Sequence, residues 1–224
     1  MLNFGKVKPG STLYVPFTTY KAADADPVTI TGFAVGDIKI YKNGGTTERA
    51  STTGFTLLDT DGIDFDTQIG LHGFSIDLSS DATADFYEAG ASYFAVVDSI
   101  TVDGITARFI ACTFTIGYEG SILDTTIATL ASQTGFTLDA GPADDDALNG
   151  CVALIHDKAS AVQIATGFVN DYTGSTKTIA LKADPGIFTM AAGDNISFFM
   201  PSNTFAINSA RLVGDGNATK WDGV

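Results

Sequence analysis

Asp59, Asp61, Asp64 and Asp66, set around Gly62, place four potential metal-ligating side chains within eight residues. Calcium takes roughly six to eight oxygens at short range, so carboxylates at this spacing could share one ion. The order is not that of an EF-hand, which needs a third acid before the glycine and a glutamate well after it. The competing reading is a β-turn at Asp61-Gly62, with solvated acids and Phe65 pointing inward. Asp144, Asp145 and Asp146 are consecutive. Consecutive side chains diverge around a helix, so these three suit the positive N-terminus of a helical turn better than one ion.

The other chemistry-bearing residues are sparse. His72, His156, Cys112 and Cys151 are too few and too scattered for a four-ligand zinc site. A Ser-His-Asp triad would need one of the two histidines, and neither comes with a GxSxG elbow. His72, between Gly70 and Gly73 at the entry to a strand, suits a turn or the core. Cys112 alternates with Ile110, Phe114 and Ile116, which places it on the buried face of a strand as a small hydrophobe; a disulfide is the alternative. Gly214-Asp215-Gly216-Asn217 lacks the lysine of a P-loop and the third glycine of a dinucleotide site, and reads as a turn. Carboxylate pairs for glycoside cleavage carry no weight, because among so many aspartates some pair always falls at a suitable separation. No catalytic, cofactor-binding or metal site is therefore assigned. Calcium at Asp59, Asp61, Asp64 and Asp66 is the one alternative retained.

The elements around these residues read as β-structure. Glutamate occurs only at Glu48, Glu88 and Glu119, leaving 23 aspartates among the 26 acids. Asp favours turns and Thr favours pleated strands, while the helix formers Glu, Lys and Arg are scarce. With 224 residues, 45% of them hydrophobic, one or two cored domains are expected. Twelve bases against 26 acids give a net charge of −14 and a pI near 4.2, a field that repels nucleic acid. No secretory signal follows Met1, and no apolar run reaches the ~18 residues a membrane helix needs.

Short apolar or alternating runs are cut by Gly, Asn, Asp and Pro about every 8 to 12 residues, the pattern of sandwiches and barrels. Leu13, Val15 and Phe17 alternate, as do Ile38 and Ile40 before Asn43-Gly44-Gly45, and Phe74, Ile76 and Leu78. Val96–Val102 and Ile105–Ile116 flank Asp103-Gly104, a pair suited to a type I′ hairpin turn. Leu123, Ile127 and Ala131 recur with helical spacing behind Ser121, but the Thr and Ile content argues equally for a strand. Val152–Ile155, Gln163–Val169, Thr178–Leu181 and Ile196–Met200 form a second β set, with a helical turn expected between Asp144 and Gly150. Thr53-Gly54-Phe55-Thr56-Leu57 returns as Thr134-Gly135-Phe136-Thr137-Leu138, with coincidence in a Thr- and Gly-rich chain favoured and duplication the alternative. The expected organisation is a β-sandwich over 1–118, a connection over 119–133, a smaller β-sandwich or barrel over 134–213 and a tail over 214–224.

Several stretches resemble virion structural proteins of tailed bacteriophages, in particular the N-terminal domain of baseplate upper proteins and related tail or fibre adaptors. They are residues 8–17 (KPGSTLYVPF), 37–44 (DIKIYKNG), 58–66 (LDTDGIDFD) and 70–78 (GLHGFSIDL), with 144–150 and 171–178 similar to a small β module of such proteins. The resemblance implies an immunoglobulin-like sandwich, a homo-oligomer with a trimer favoured, other phage structural proteins as partners, synthesis in the host cytoplasm and residence in the virion. It implies a non-enzymatic adaptor of tail, baseplate or fibre. A capsid decoration (cement) protein, a carbohydrate-active enzyme using Asp pairs and a calcium-dependent adhesion module are the rivals. Neither nucleic acid nor membrane is expected as a direct partner. Phe4, Tyr14, Tyr41, Phe205 and Trp221 are the aromatic candidates for contacts, with core packing favoured for Tyr14 and Tyr41.

Overall fold

The computed structural model of the protein describes residues 1–59, 65, 67–80, 86–160 and 162–200. The chain is all-β. In order, the strands are β1 (Leu2–Val7), β2 (Thr12–Thr18), β3 (Ile30–Thr31), β4 (Ile38–Lys42), β5 (Phe55–Leu57), β6 (Leu71–Asp77), β7 (Ser92–Val102) and β8 (Ile105–Ile116). Then follow β9 (Leu123–Ser132), β10 (Gly135–Leu138), β11 (Val152–His156), β12 (Ile164–Thr173), β13 (Thr178–Leu181) and β14 (Asn195–Phe199). A single 3-10 turn, Val35–Asp37, is the helical element among the described residues.

The first eight strands build a sandwich. One sheet runs β1-β8-β7, with β3 and β4 both paired to β7; the other runs β2-β6-β5. All pairings are antiparallel except that of β1 with β8. Between the sheets lies a core that includes Val15, Ile40, Phe74, Ile76, Val97, Cys112 and Phe114. The expected β7–β8 hairpin is present, and both of its turn residues have positive φ, 50° at Asp103 and 75° at Gly104. That geometry matches the right-handed twist of the flanking strands.

Two positions in the sandwich depart from simple alternation. Ala95 faces Cys112 while Val96 faces Ile110, so Ala111 is an extra residue in β8. This bulge turns Ile110 out to 44% exposure while Cys112 and Phe114 stay buried, correcting the expectation that all four alternating residues share the inner face. Tyr14, expected in the core, is 62% exposed, because its neighbours Leu13 and Val15 take the inward positions of β2. β6 is buried on both faces. Its Gly73 is covered by Leu58 and Phe65, whose atoms would lie 2.9 Å from a β-carbon there.

The last six strands close into a barrel, β10-β13-β12-β11-β14-β9, with its own core of Ile127, Phe136, Cys151, Ile155, Tyr172, Ile179 and Phe198. Within the segment expected as a connection, Leu123–Ser132 is strand β9 of this barrel, paired with both β10 and β14. The β-branched content therefore outweighs the helical spacing. The expected helical turn at Asp144–Gly150 is instead a set of turns, with Asp146 and Gly150 at φ 63° and 76°. The repeated Thr-Gly-Phe-Thr-Leu falls on an edge strand of the sandwich and on a barrel strand, in different surroundings.

Candidate functional site

The groups brought together most densely lie where the barrel meets the sandwich. Asp124, near the start of β9, has a side chain only 4% exposed. Its Oδ2 accepts from Lys6 Nζ at 2.7 Å and Ser121 Oγ at 2.7 Å; its Oδ1 accepts from Ser197 Oγ at 2.5 Å and the Tyr118 N–H at 3.3 Å. Lys6 belongs to β1, so this ion pair ties the first strand of the sandwich to the barrel. Burial pushes the Asp124 carboxyl up, but the bonds from Lys6, Ser197 and Ser121 outweigh it and hold the group below the usual carboxylate value.

Backbone contacts complete the junction. Gly90 approaches so closely that a β-carbon there would lie 2.3 Å from the Asp124 carbonyl oxygen, and its φ is 84°. The Ala89 N–H donates to Asn195 Oδ1 at 2.7 Å across the junction, while the Gly117 N–H donates to the Val7 carbonyl at 2.9 Å within the sandwich and holds β1 beside it. The modules are thus joined through β1, β9, β14 and the stretch before β7.

Beside this junction opens a cleft of about 390 Å³. Ser79, Tyr87 and Glu88 line it from the sandwich, His156, Lys158 and Asn195 from the barrel. Its charged groups already serve the fold. Glu88 pairs with Lys42 at 2.5 Å, and Asp157 Oδ1 accepts from the Ala159 N–H at 2.8 Å; buried Asp194, between the lining residues Gly193 and Asn195, accepts from the N–H groups of Lys158 and Ala191. Burial raises the Asp194 carboxyl despite those two bonds. His156 lies within 3.1 Å, Nε2 to oxygen, of the Ser160 carbonyl. The arrangement braces two β modules, and a small polar molecule could enter the cleft, but its carboxylates are held in structural bonds.

Of the residues weighed from sequence, Asp59 is half-buried, and Asp61, Asp64 and Asp66 lie outside the described residues. Among the described residues no three His, Cys, Asp or Glu side chains come together. Asp145 Oδ1 accepts from the Gly174 N–H and Asp146 Oδ1 from Asn149 Nδ2, so these two acids fasten turns. His72 is buried in β6, 2.7 Å from Thr19 Oγ1 and packed on Phe17. Cys112 and Cys151 are free, buried and members of different cores, and burial pushes the Cys112 thiol up to about 12. Phe4 packs partly against the sandwich core, Tyr41 stacks on Phe94 at 4.9 Å, and Phe205 and Trp221 lie outside the described residues, as do 214–224.

Sequence reasoning missed Lys6, Ser121, Asp124 and Ser197, whose association spans almost the whole chain and leaves no local spacing. It also missed Arg49, which is 5% exposed. Its guanidinium donates to the carbonyls of Ser51, Thr53 and Ser80 and lies over the rings of Phe55 and Tyr87. It clamps two loops of the sandwich without a carboxylate partner in that set.

Searches with the whole chain match no family model and no curated protein. Among the described residues no helix is long and apolar enough to cross a membrane.

Proposed function

We propose that this chain is a non-enzymatic structural subunit of a tailed-phage particle, an adaptor that holds parts of the tail, baseplate or fibre in fixed relation. The observation that carries the reading is the junction at Asp124. A carboxylate buried with four donors, a lysine from the first strand and a glycine with no room for a side chain make one body of two β modules. A body of this kind transmits position from a neighbour on one module to a neighbour on the other. The residues resembling baseplate upper proteins give the particle context, with a homo-oligomer, a trimer in the first instance, as the working form.

Exposed side chains suited to such contacts include Tyr14, Ile69 and Ile105 on the sandwich and Phe168 and Ile187 on the barrel, all more than half exposed. Interfaces concentrate their affinity in a few aromatic and aliphatic anchors within a polar surround, and Tyr14, Tyr20 and Phe168 are the more than half exposed aromatic side chains among the described residues.

Quantitative mass spectrometry of purified particles tests the proposal. The expected result is the chain in a small multiple of three or six per particle. Hundreds of copies would assign it to capsid decoration, and absence from particles would overturn the structural reading altogether.

A further inference from the structure

A sheet edge presents unpaired N–H and C=O groups to any extended chain that reaches it, and folded proteins blunt such edges. Most edges of the sandwich are blunted. β2 carries Pro16, and β3 and β5 are only two and three residues long. β1 is irregular between Asn3 and Lys6, and its Gly5 N–H is taken by Asn3 Oδ1 at 2.9 Å. β4 is covered by the bridge from Tyr41 to Glu48 and by the Arg49 N–H on the Ile40 carbonyl at 2.8 Å.

The first half of β8, up to the bulge at Ala111, has no such device among the described residues. β8 begins at Ile105, but β1 pairs only with Cys112–Ile116. On that side the backbone from Ile105 to Ala111 meets no strand among the described residues. Arg108, the one charged side chain in that stretch, is drawn to Asp98 at 2.5 Å. Next to this edge, between β8 and β2, lies a groove of about 430 Å³ lined by Met1, Leu2, Phe17, Leu71, Phe109 and Ile110. Backbone groups without a strand and an apolar trough lie side by side.

We propose that this half-edge of β8 accepts a strand from a neighbouring protein of the assembly. An extended segment pairs with Ile105–Ile110 in line with β1 and sets alternate apolar side chains into the groove. Pairing along consecutive backbone positions requires an extended chain, and side chains of a strand alternate, so every second residue faces the trough. The net charge of −14 favours a neutral or basic segment over an acidic one. The site also continues an interface already in use, since β1 fills the other half of the same edge. For the source of the strand the proposal rests on the assembly role above.

The test is made on the full-length chain, with a displayed library of random peptides about nine residues long as the probe. The expected winners alternate apolar with neutral or basic residues. The two-residue turn makes Val102 and Ile105 a hydrogen-bonded pair, so the Thr106 N–H points away from β7 and Thr106→Pro removes an outward donor. Ile110→Lys places a charge at the groove. Each is expected to weaken peptide binding at least about tenfold with the melting temperature little changed. Should Thr106→Pro fail to fold, Ile110→Lys carries the test.

Failure of any peptide to enrich, or equal binding to the variants, overturns the proposal. So does slow hydrogen exchange at the Thr106 and Arg108 amides of the free monomer, which would assign the edge to a segment of this same chain. Protection appearing only on self-association would assign it to a second copy and overturn it likewise. Peptide capture can fail while the chain is present in particles, and absence from particles leaves a positive peptide result standing.

Discussion

Taking a carboxylate out of water disfavours its charge, so Asp124 stays ionised only because Lys6, Ser197 and Ser121 all donate to it. Its folded pKa lies below the unfolded value of about 3.9, so its stabilisation is complete above that value and fades as pH falls through the folded one. Asp124→Asn is expected to cost about 1–3 kcal/mol at pH 7, less than a fully buried pair because Lys6 is 32% exposed. The difference from the parent chain should shrink toward pH 2. Urea titrations at the two pH values check this, and an equal difference at both would refute the electrostatic explanation. Asp194 has the opposite sign. Burial raises its carboxyl, so its ionisation opposes folding above the raised value, and that penalty is relieved as pH falls through it.

Among the elements, the β7–β8 hairpin is the one whose turn chemistry is most local. Gly104 sits at φ 75°, with open space where a β-carbon would be, so a side chain there would be opposed by backbone conformation alone. Gly104→Val is expected to destabilise the sandwich by about 1–2 kcal/mol, measured as a shift in the urea midpoint at unchanged slope. Such turns were legible because two adjacent residues specify them. Strands β2, β4, β6, β11, β12, β13 and β14 were likewise legible from apolar runs between turn residues. Ile110 and Tyr14 were misplaced for different reasons. The bulge at Ala111 is set by pairing with β7, which the sequence of β8 does not encode by itself, whereas the inward phase of β2 belongs to Leu13 and Val15 and leaves Tyr14 outside. β9 was ambiguous because Leu123, Ile127 and Ala131 satisfy a helical period, and the barrel partners β10 and β14 decided the matter. The Asp124 junction was not legible at all, since Lys6, Ser121 and Ser197 are joined to it by tertiary contact.

At the scale of the whole molecule, Gly90 controls how the two modules seat on one another. A β-carbon at this position would meet the Asp124 carbonyl oxygen, in a backbone conformation that side chains rarely adopt. Gly90→Ala is expected to cost about 2 kcal/mol or more and to lengthen the particle in small-angle scattering, with each module retaining its strands. An unchanged scattering profile and stability would show that the junction tolerates the added atom. The parallel pairing of β1 with β8 has one more consequence, for the order of synthesis. Residues 2–7 leave the ribosome ahead of every other strand described, yet their ladder partner, Cys112–Ile116, and the carboxylate that receives Lys6 are made more than a hundred residues later. β1 waits unpaired until the end of β8 is made, and Lys6 meets its carboxylate only when the barrel begins to emerge.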